Sequence, residues 1–316
     1  MQISVIMPCH NAARWIEAAL QSAAKQTFQP LEIIVINDSS TDDSVQIIER
    51  SGVPVRLIEA NVRNAAAARN LGIEAAHGDW IAFLDADDIW CPNHLEKAAK
   101  LLENGDDVAY MANHLLLRED GNTEELSDYL RHDLPTATNL KPELFVECCA
   151  RGFHFGHSTV LFQRQRLLDV GCFDVKQKRR HDLDLWLRVT RDKSWAYESE
   201  VAALYRVDTP GSISKNVVEC EYFYLKALLK NRKGFDTPGM TQMIVSSARR
   251  LMSLSFVDGQ AKDFREARRL AWPHLGAKLR VFYSLAPSAR PLFQAGIRLK
   301  RRWVWRNHPQ PGAATQ

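Results

Sequence analysis

The 316-residue sequence has no uninterrupted stretch of the roughly 18 to 20 apolar residues that a membrane-spanning helix requires. Its N-terminus runs into ISVIM with no basic region or cleavage site before it, so the chain is expected to be made and kept in the cytoplasm. No C-x-x-C pair occurs among Cys9, Cys91, Cys148, Cys149, Cys172 and Cys220. Their irregular spacing argues against a zinc knuckle and a disulfide framework, and leaves reduced packing residues. There is no internal repeat. With 46% hydrophobic and 25% charged residues, disorder and collagen-like order are excluded, and one or two ordinary cores can form.

Net charge is also small, +3, but it hides an asymmetry. Residues 1–216 carry 23 Lys and Arg against 32 Asp and Glu, a balance of −9, whereas 217–316 carry 18 against 6, a balance of +12. An acidic body is joined to a basic C-terminal part.

Through about residue 111, short β-branched runs (ISVIM, EIIVI, VRLIE, DWIAFL) alternate with helical patterns, which predicts βαβ units and a mainly parallel sheet flanked by helices. Trp15, Ile16, Ala19, Leu20 and Ala23 share one helical face, and Ser40 with Asp43 forms a candidate capping box before Val45 and Ile48. A third helix runs from Ala65 to Ala75, with Gly78 as its expected left-handed terminator. Residues 112–142 read as a loop-rich insertion over one face of the sheet. Order returns with the strand HSTVLF, the helix RQRLLDVGCF ending at Gly171, and a helix starting near Asp182 with Leu183, Trp186 and Leu187 inward.

Beyond Ser214 the pattern is helical. Ile244, Ala248 and Leu251 form one stripe, Phe264, Ala267, Leu270 and Ala271 a second, and Leu292, Gly296, Leu299 and Trp303 a third. The domains expected are 1–216, split into 1–111 and 112–216, then a basic helical region 217–306 and a disordered tail 307–316. Arg298, Lys300, Arg301, Arg302 and Arg306 interleave with Trp303 and Trp305, which suits an anionic membrane surface over residues 290–306. Nucleic acid is the competing partner of a basic segment, and a helical unit packed on the body is the plainer reading for 217–275.

The strongest chemical signal is acidic. Asp38 follows EIIVIN, and Asp85, Asp87 and Asp88 follow WIAFL. Carboxyl ends of parallel strands form the ligand crevice of an open α/β sheet, so these groups should converge. Converging carboxylates repel unless a cation joins them, and oxygen ligands favour Mg²⁺ or Mn²⁺. The competing reading of LDADD is a strand-to-helix turn whose acids cap the next helix.

The ordered run VIMPCHNA, VINDSSTDDS, AAARNLGIEAAHGDWIAFLDADD, HSTVLF with VGCFD, HDLDLWLRV and ALYRVDTPGSIS resembles the family 2 glycosyltransferases of the GT-A fold, over residues 1–216. The resemblance implies an inverting enzyme that moves a sugar from a nucleotide-sugar, expected to be uridine-linked, to a glycan or lipid-linked acceptor. It implies that Pro8, His10 and Asn11 lie beside the base, Asp38 bonds base or ribose, and Arg69 approaches the nucleotide. Asp85 would lie near the ribose, Asp87 on a divalent metal, and Asp182 would be the general base. A helix N-cap is the competing role for Asp182.

Several positions depart from the family pattern. Asn37-Asp38-Ser39-Ser40 stands for Asp-Asp-Gly-Ser, Asn64 stands where glycine is usual, and His181 replaces the Glu before the base. Asn64 is expected at positive φ, and His181 is expected to change the charge beside Asp182. Asp208 stands where a metal-reaching His is common, with a surface turn as the alternative. Trp186 is read as core or as a sugar platform, and Lys176, Lys178, Arg179 and Arg180 as a solvated run or a phosphate contact. A non-catalytic nucleotide-sugar scaffold and a nucleic-acid-associated protein are the rival functions.

Overall fold

Short β-branched runs separated by amphipathic helices fix the first half of the molecule. The structure, a computed structural model, describes every residue except 104, 125–133, 154, 208–215, 258–260 and 286–316. It begins β1 (Ile3–Cys9), α1 (Ile16–Ala24), β2 (Glu32–Asp38), α2 (Ser44–Arg50), β3 (Arg56–Ala60), α3 (Ala65–Ala75) and β4 (Trp80–Phe83). The four strands run parallel in the order β3-β2-β1-β4. Both faces are covered, which is why these strands are almost continuously apolar. Ile6, Ile34, Ile36 and Phe83 enter one core with α3, while Val5, Met7, Ile33, Val35 and Ala82 enter the other with α1. The register sets Cys9 opposite Asn37 and Ile6 opposite Phe83, so the segments leaving β1, β2 and β4 emerge at one rim.

Three local expectations are corrected. The start of α2 is held by Asp42, whose carboxylate accepts the Ser44 backbone N–H at 3.1 Å, and neither Ser40 nor Asp43 caps it by a side chain. Gly78 does not adopt a left-handed conformation. It is needed for close approach, since a Cβ there would lie 2.7 Å from the Ser4 backbone nitrogen. Asn64 is extended, at φ −155°, and caps α3 by accepting the N–H groups of Ala66 and Ala67. Its neighbour Arg63 takes the positive φ instead.

The second half adds β5 (Ile89–Trp90), α4 (His94–Leu102), β6 (Ala109–Leu117), β7 (Thr123–Glu124), β8 (Ala137–Leu140), α5 (Pro142–Ala150), β9 (Val160–Gln163), α6 (Arg164–Asp169), α7 (His181–Thr190) and β10 (Trp195–Arg206). The sheet continues β4-β9-β6-β10-β5, with β9 antiparallel to both neighbours and β6 parallel to β10. The expected loop-rich insertion therefore starts too early, because residues 112–117 are the end of an interior strand. Asn113 and the buried His114 interrupt its apolar run and disguise it.

Four helices follow: α8 (Val217–Asn231), α9 (Pro238–Val257), α10 (Ala261–Ala271) and α11 (Ala277–Leu285). Ile244, Ala248, Leu251, Phe264, Ala267 and Ala271 join the same core as Phe83, Phe162 and Trp186. A polar joint reinforces this packing. The Asp184 carboxylate, fully buried, accepts from Arg188 at 2.9 Å, Lys230 at 3.0 Å and Asn231 at 3.0 Å. The third stripe, the 290–306 segment and the 307–316 tail lie outside the described residues. Among the described residues no helix is long and apolar enough to cross a membrane.

Candidate active site

At the rim, the loops after β1 and β2 are stitched by side chain to backbone bonds. Asn11, at φ 51°, accepts the Thr41 N–H at 2.8 Å, and the Ala12 N–H donates to Ser44 Oγ at 2.8 Å. His10 donates from Nδ1 to the Asp38 carbonyl oxygen at 2.6 Å. Pro8 pairs with Ile36 inside the sheet. Ser39 occupies the left-handed region at φ 60°, so the turn keeps a glycine-like conformation without glycine.

Asp38 is buried, and its carboxylate accepts three backbone N–H groups, from Val62 and Arg63 at 2.8 Å and Asn64 at 2.9 Å. It therefore shapes the loop entering α3, and only its remaining lone pairs are open to a ligand. Charge-assisted bonds of this kind are the strong ones.

The segment after β4 gathers three carboxylates with different fates. Asp88 is buried, accepting the Ser158 hydroxyl and the Arg206 backbone N–H. Burial, with Asp87 and Asp85 beside it, pushes its carboxyl well above the usual range. It ties this turn to the ends of β9 and β10 and has no free side toward a ligand. Asp85 pairs with the buried Arg69. Among the described residues the Asp87 carboxylate makes no ion pair and is hydrogen-bonded just by its own backbone N–H. Burial and then the Asp85 charge lift it to about 6. An under-neutralised carboxylate of this kind is the donor a divalent cation suits.

Among the described residues, no three His, Cys, Asp or Glu side chains form a metal-holding group. Asp85, paired with Arg69, and Asp87 are the two carboxylates this turn offers at the rim. Asp208, the other expected ligand, lies outside the described residues.

Arg69 connects this cluster to α7. One guanidinium nitrogen reaches Asp85 and another donates to His181 Nε2 at 3.0 Å, while the group lies 5.8 Å from the Phe173 ring centroid. Accepting from Arg69 requires a neutral His181. Burial and the Arg69 charge pull its pKa down to about 4, in agreement.

Asp182 is the second residue of α7, after Arg180 at φ 55°, so it is not the N-cap. Among the described residues its Oδ1 accepts only the adjacent Leu183 N–H, at 2.8 Å. Burial raises its pKa, but His181, Arg180 and His157 outweigh that, and the carboxyl sits below the ordinary value. It is ionised at neutral pH, the state a proton acceptor needs.

His157 is buried, stacked 6.2 Å from Trp186, and held neutral chiefly by burial. Trp186 is buried too, which supports its core reading. In the basic loop, Arg179 pairs with Glu219 and Arg180 lies 5.7 Å from the Tyr224 ring centroid, so both face α8. Ser158 and Arg206 were not singled out by sequence. Both stand inside quoted motifs, HSTVLF and ALYRVDTPGSIS, but their roles depend on strand pairing.

Residues 4–164 match glycosyl transferase family 2, just over half of the chain. The chain belongs to that family. As a family 2 glycosyltransferase it is an enzyme, similar to an uncharacterized glycosyltransferase of Rickettsia prowazekii, 27% identical over 239 residues, covering 72% of this chain and 73% of that protein. It is also similar to the Escherichia coli UDP-Glc:alpha-D-GlcNAc-diphosphoundecaprenol beta-1,3-glucosyltransferase WfgD, 29% identical over 195 residues, 61% of this chain and 71% of that one. Against another relative, from Rickettsia conorii, the match spans only 31% of the other protein. Staphylococcus aureus TarS 1–349, solved with UDP-GlcNAc, superposes with a TM-score of 0.68 at 16% identity, over 96% of this chain and 92% of that one. The fold is therefore GT-A, a sheet flanked by helices with a C-terminal helical region. The mannosyltransferase PcManGT of Pyrobaculum calidifontis, solved with GDP-Man and Mn²⁺, gives 0.54 at 17% identity, over 93% and 83%.

Proposed function

We propose that this glycosyltransferase moves a sugar from a UDP-sugar to a hydroxyl of a cell-surface glycan or lipid-linked acceptor, with inversion. The observation that carries the reading is the Arg69 bridge. It joins the acidic turn of Asp85 and Asp87 to α7, where the ionised Asp182 stands one residue beyond His181. The UDP part is supported by the UDP-GlcNAc complex of TarS and the activity of WfgD, and the lipid-linked acceptor by WfgD alone.

In the reaction, the acceptor oxygen forms a bond to the anomeric carbon while its proton passes to the Asp182 carboxylate. The bond from that carbon to the diphosphate oxygen breaks, and the diphosphate leaves with the electron pair. One in-line displacement inverts the configuration. Asp85 and Asp87 would hold Mn²⁺ or Mg²⁺, which when bound supplies Lewis-acid stabilisation of the leaving diphosphate. Asp38 keeps the 62–64 loop shaped for the nucleotide, and Pro8, His10 and Asn11 form the rim beside it. Arg69 holds Asp85 in place through their ion pair. Asp208 is retained as a candidate metal ligand. Residues 290–306 would rest on the cytoplasmic face of an anionic membrane.

Calorimetric titration with UDP, GDP, CDP and dTDP, each with Mn²⁺ and with EDTA, tests the donor side. Metal-dependent binding of UDP above the others is expected and should vanish in Asp87→Ala. Failure of all four to bind the full-length protein would overturn the reading in favour of a scaffold.

A further inference from the structure

The helices beyond the sheet carry positive charge that the protein does not neutralise. Arg265, Arg268 and Arg269 of α10 are exposed and, with Trp272 and Pro273, line one shallow hollow. The Arg268 guanidinium lies 4.4 Å from the Trp272 ring centroid. Among the described residues, none of these three arginines pairs with a carboxylate. Elsewhere arginines do find one: Arg179 pairs with Glu219, Arg188 with Asp184 and Arg250 with Glu221. With Glu266 among them, residues 265–269 still carry three guanidinium groups against one carboxylate, and a polyanion is the ligand that relieves their repulsion.

Other features of the helical extension narrow that polyanion to a surface. Val281 of α11 is 59% exposed, an apolar residue with Lys278 one turn before it. Arg268 already lies across a face of Trp272 that a nucleic-acid base would need for stacking. An indole beside arginines suits the headgroup region of a bilayer instead. In sequence, the chain then continues into Arg298, Lys300, Arg301, Arg302, Trp303, Trp305 and Arg306. The balance of −9 on residues 1–216 against +12 on the remainder would turn the molecule, helices first, toward an anionic plane.

We infer that the α10 face of Arg265, Arg268, Arg269 and Trp272 docks on an anionic phospholipid surface. This contact lies within the described fold, is additional to residues 290–306, and does not depend on the transfer chemistry.

The test is flotation of the full-length protein with vesicles of phosphatidylcholine alone or mixed with phosphatidylglycerol, at low and high salt. The variant R265Q/R268Q/R269Q, with 290–306 intact, should bind the phosphatidylglycerol vesicles about tenfold to a hundredfold more weakly at low salt. R265K/R268K/R269K should retain most of the binding, because a surface potential reads charge and not the guanidinium fork. UDP binding and the unfolding midpoint should be unchanged in both. Undiminished vesicle binding by the glutamine variant would overturn the proposal. So would loss of binding in the lysine variant with competition by inorganic phosphate or diphosphate, which would mark a discrete phosphate site. Preference for an RNA duplex over the vesicles would overturn it as well.

Discussion

The sheet and the helical extension handle charge in opposite ways. In the sheet most carboxylates are consumed internally: Asp38 by three N–H groups, Asp88 by Ser158 and Arg206, Asp85 by Arg69. Of the site acids, Asp87 makes no ion pair and Asp182 accepts just the adjacent Leu183 N–H among the described residues, and these are the two whose proposed work requires a free carboxylate. On α10 the unspent groups are arginines, exposed at the surface and with no internal carboxylate partner. The comparison teaches that a charged side chain is informative for function when its own fold leaves it unspent, and that the sign of the remainder names the ligand. Asp184 marks the boundary, since it spends its charge on joining the two regions.

The comparison breaks most sharply at Asp182. Asp182→Asn should lower kcat by about a hundredfold to ten-thousandfold while leaving UDP affinity intact, as measured by steady-state kinetics beside calorimetry. Equal loss of both would remove the distinction between spent and unspent acids. Next comes the joint: Asp184→Ala should destabilise the protein by about 3–5 kcal/mol in urea unfolding, by stranding the positive groups around it. Arg268→Gln should change stability by less than about 1 kcal/mol, because it loses just an exposed contact with the Trp272 ring.

Asp38→Asn should cost about 1.5–3 kcal/mol of stability and raise the KM for donor more than it lowers kcat, since it acts through the 62–64 backbone. His181→Gln, which keeps an acceptor for Arg69, should retain more activity than His181→Ala by roughly tenfold, the difference of a hydrogen bond to a charged group. Similar rates for the two would show that the Arg69 bridge does not matter.

The smallest effect concerns pH. His94 is buried and held neutral, mainly by burial, with its pKa lowered to about 3. The unfolded chain binds a proton there below about 6.5 and the folded chain does not, so this contribution to stability is present above that value and is lost as pH falls toward 3. His94→Phe should flatten the fall in unfolding midpoint between pH 6.5 and 4. An unchanged slope would assign the acid sensitivity to other groups.

Much of the donor half was legible because its signals are local. A strand buried on both faces must be apolar throughout, and the helices between parallel strands must be amphipathic, so β1 to β4 and α1 to α3 can be read directly. The second half resisted for the opposite reason. β6 contains Asn113 and His114, and β10 carries Glu198, Ser199 and Glu200 at its bulges, so neither has a clean period. Asn64 misled because an N-cap and a left-handed turn both favour Asn. Ser158 and Arg206 had no signal of their own.

The sequence by itself determined the parallel sheet, the acidic turn after β4, the family resemblance and the charge asymmetry. These depend on residue type and order along the chain, and order survives without three dimensions. Only the tertiary structure decided which acids remain unspent. Asp38 and Asp88 read like Asp87 in the sequence, and what separates them is which N–H or O–H group a distant loop or strand brings within hydrogen-bond distance. It likewise decided that His181 accepts from Arg69 and that Asp184 serves the joint, because partners 112 and 46 positions apart meet only when the chain folds.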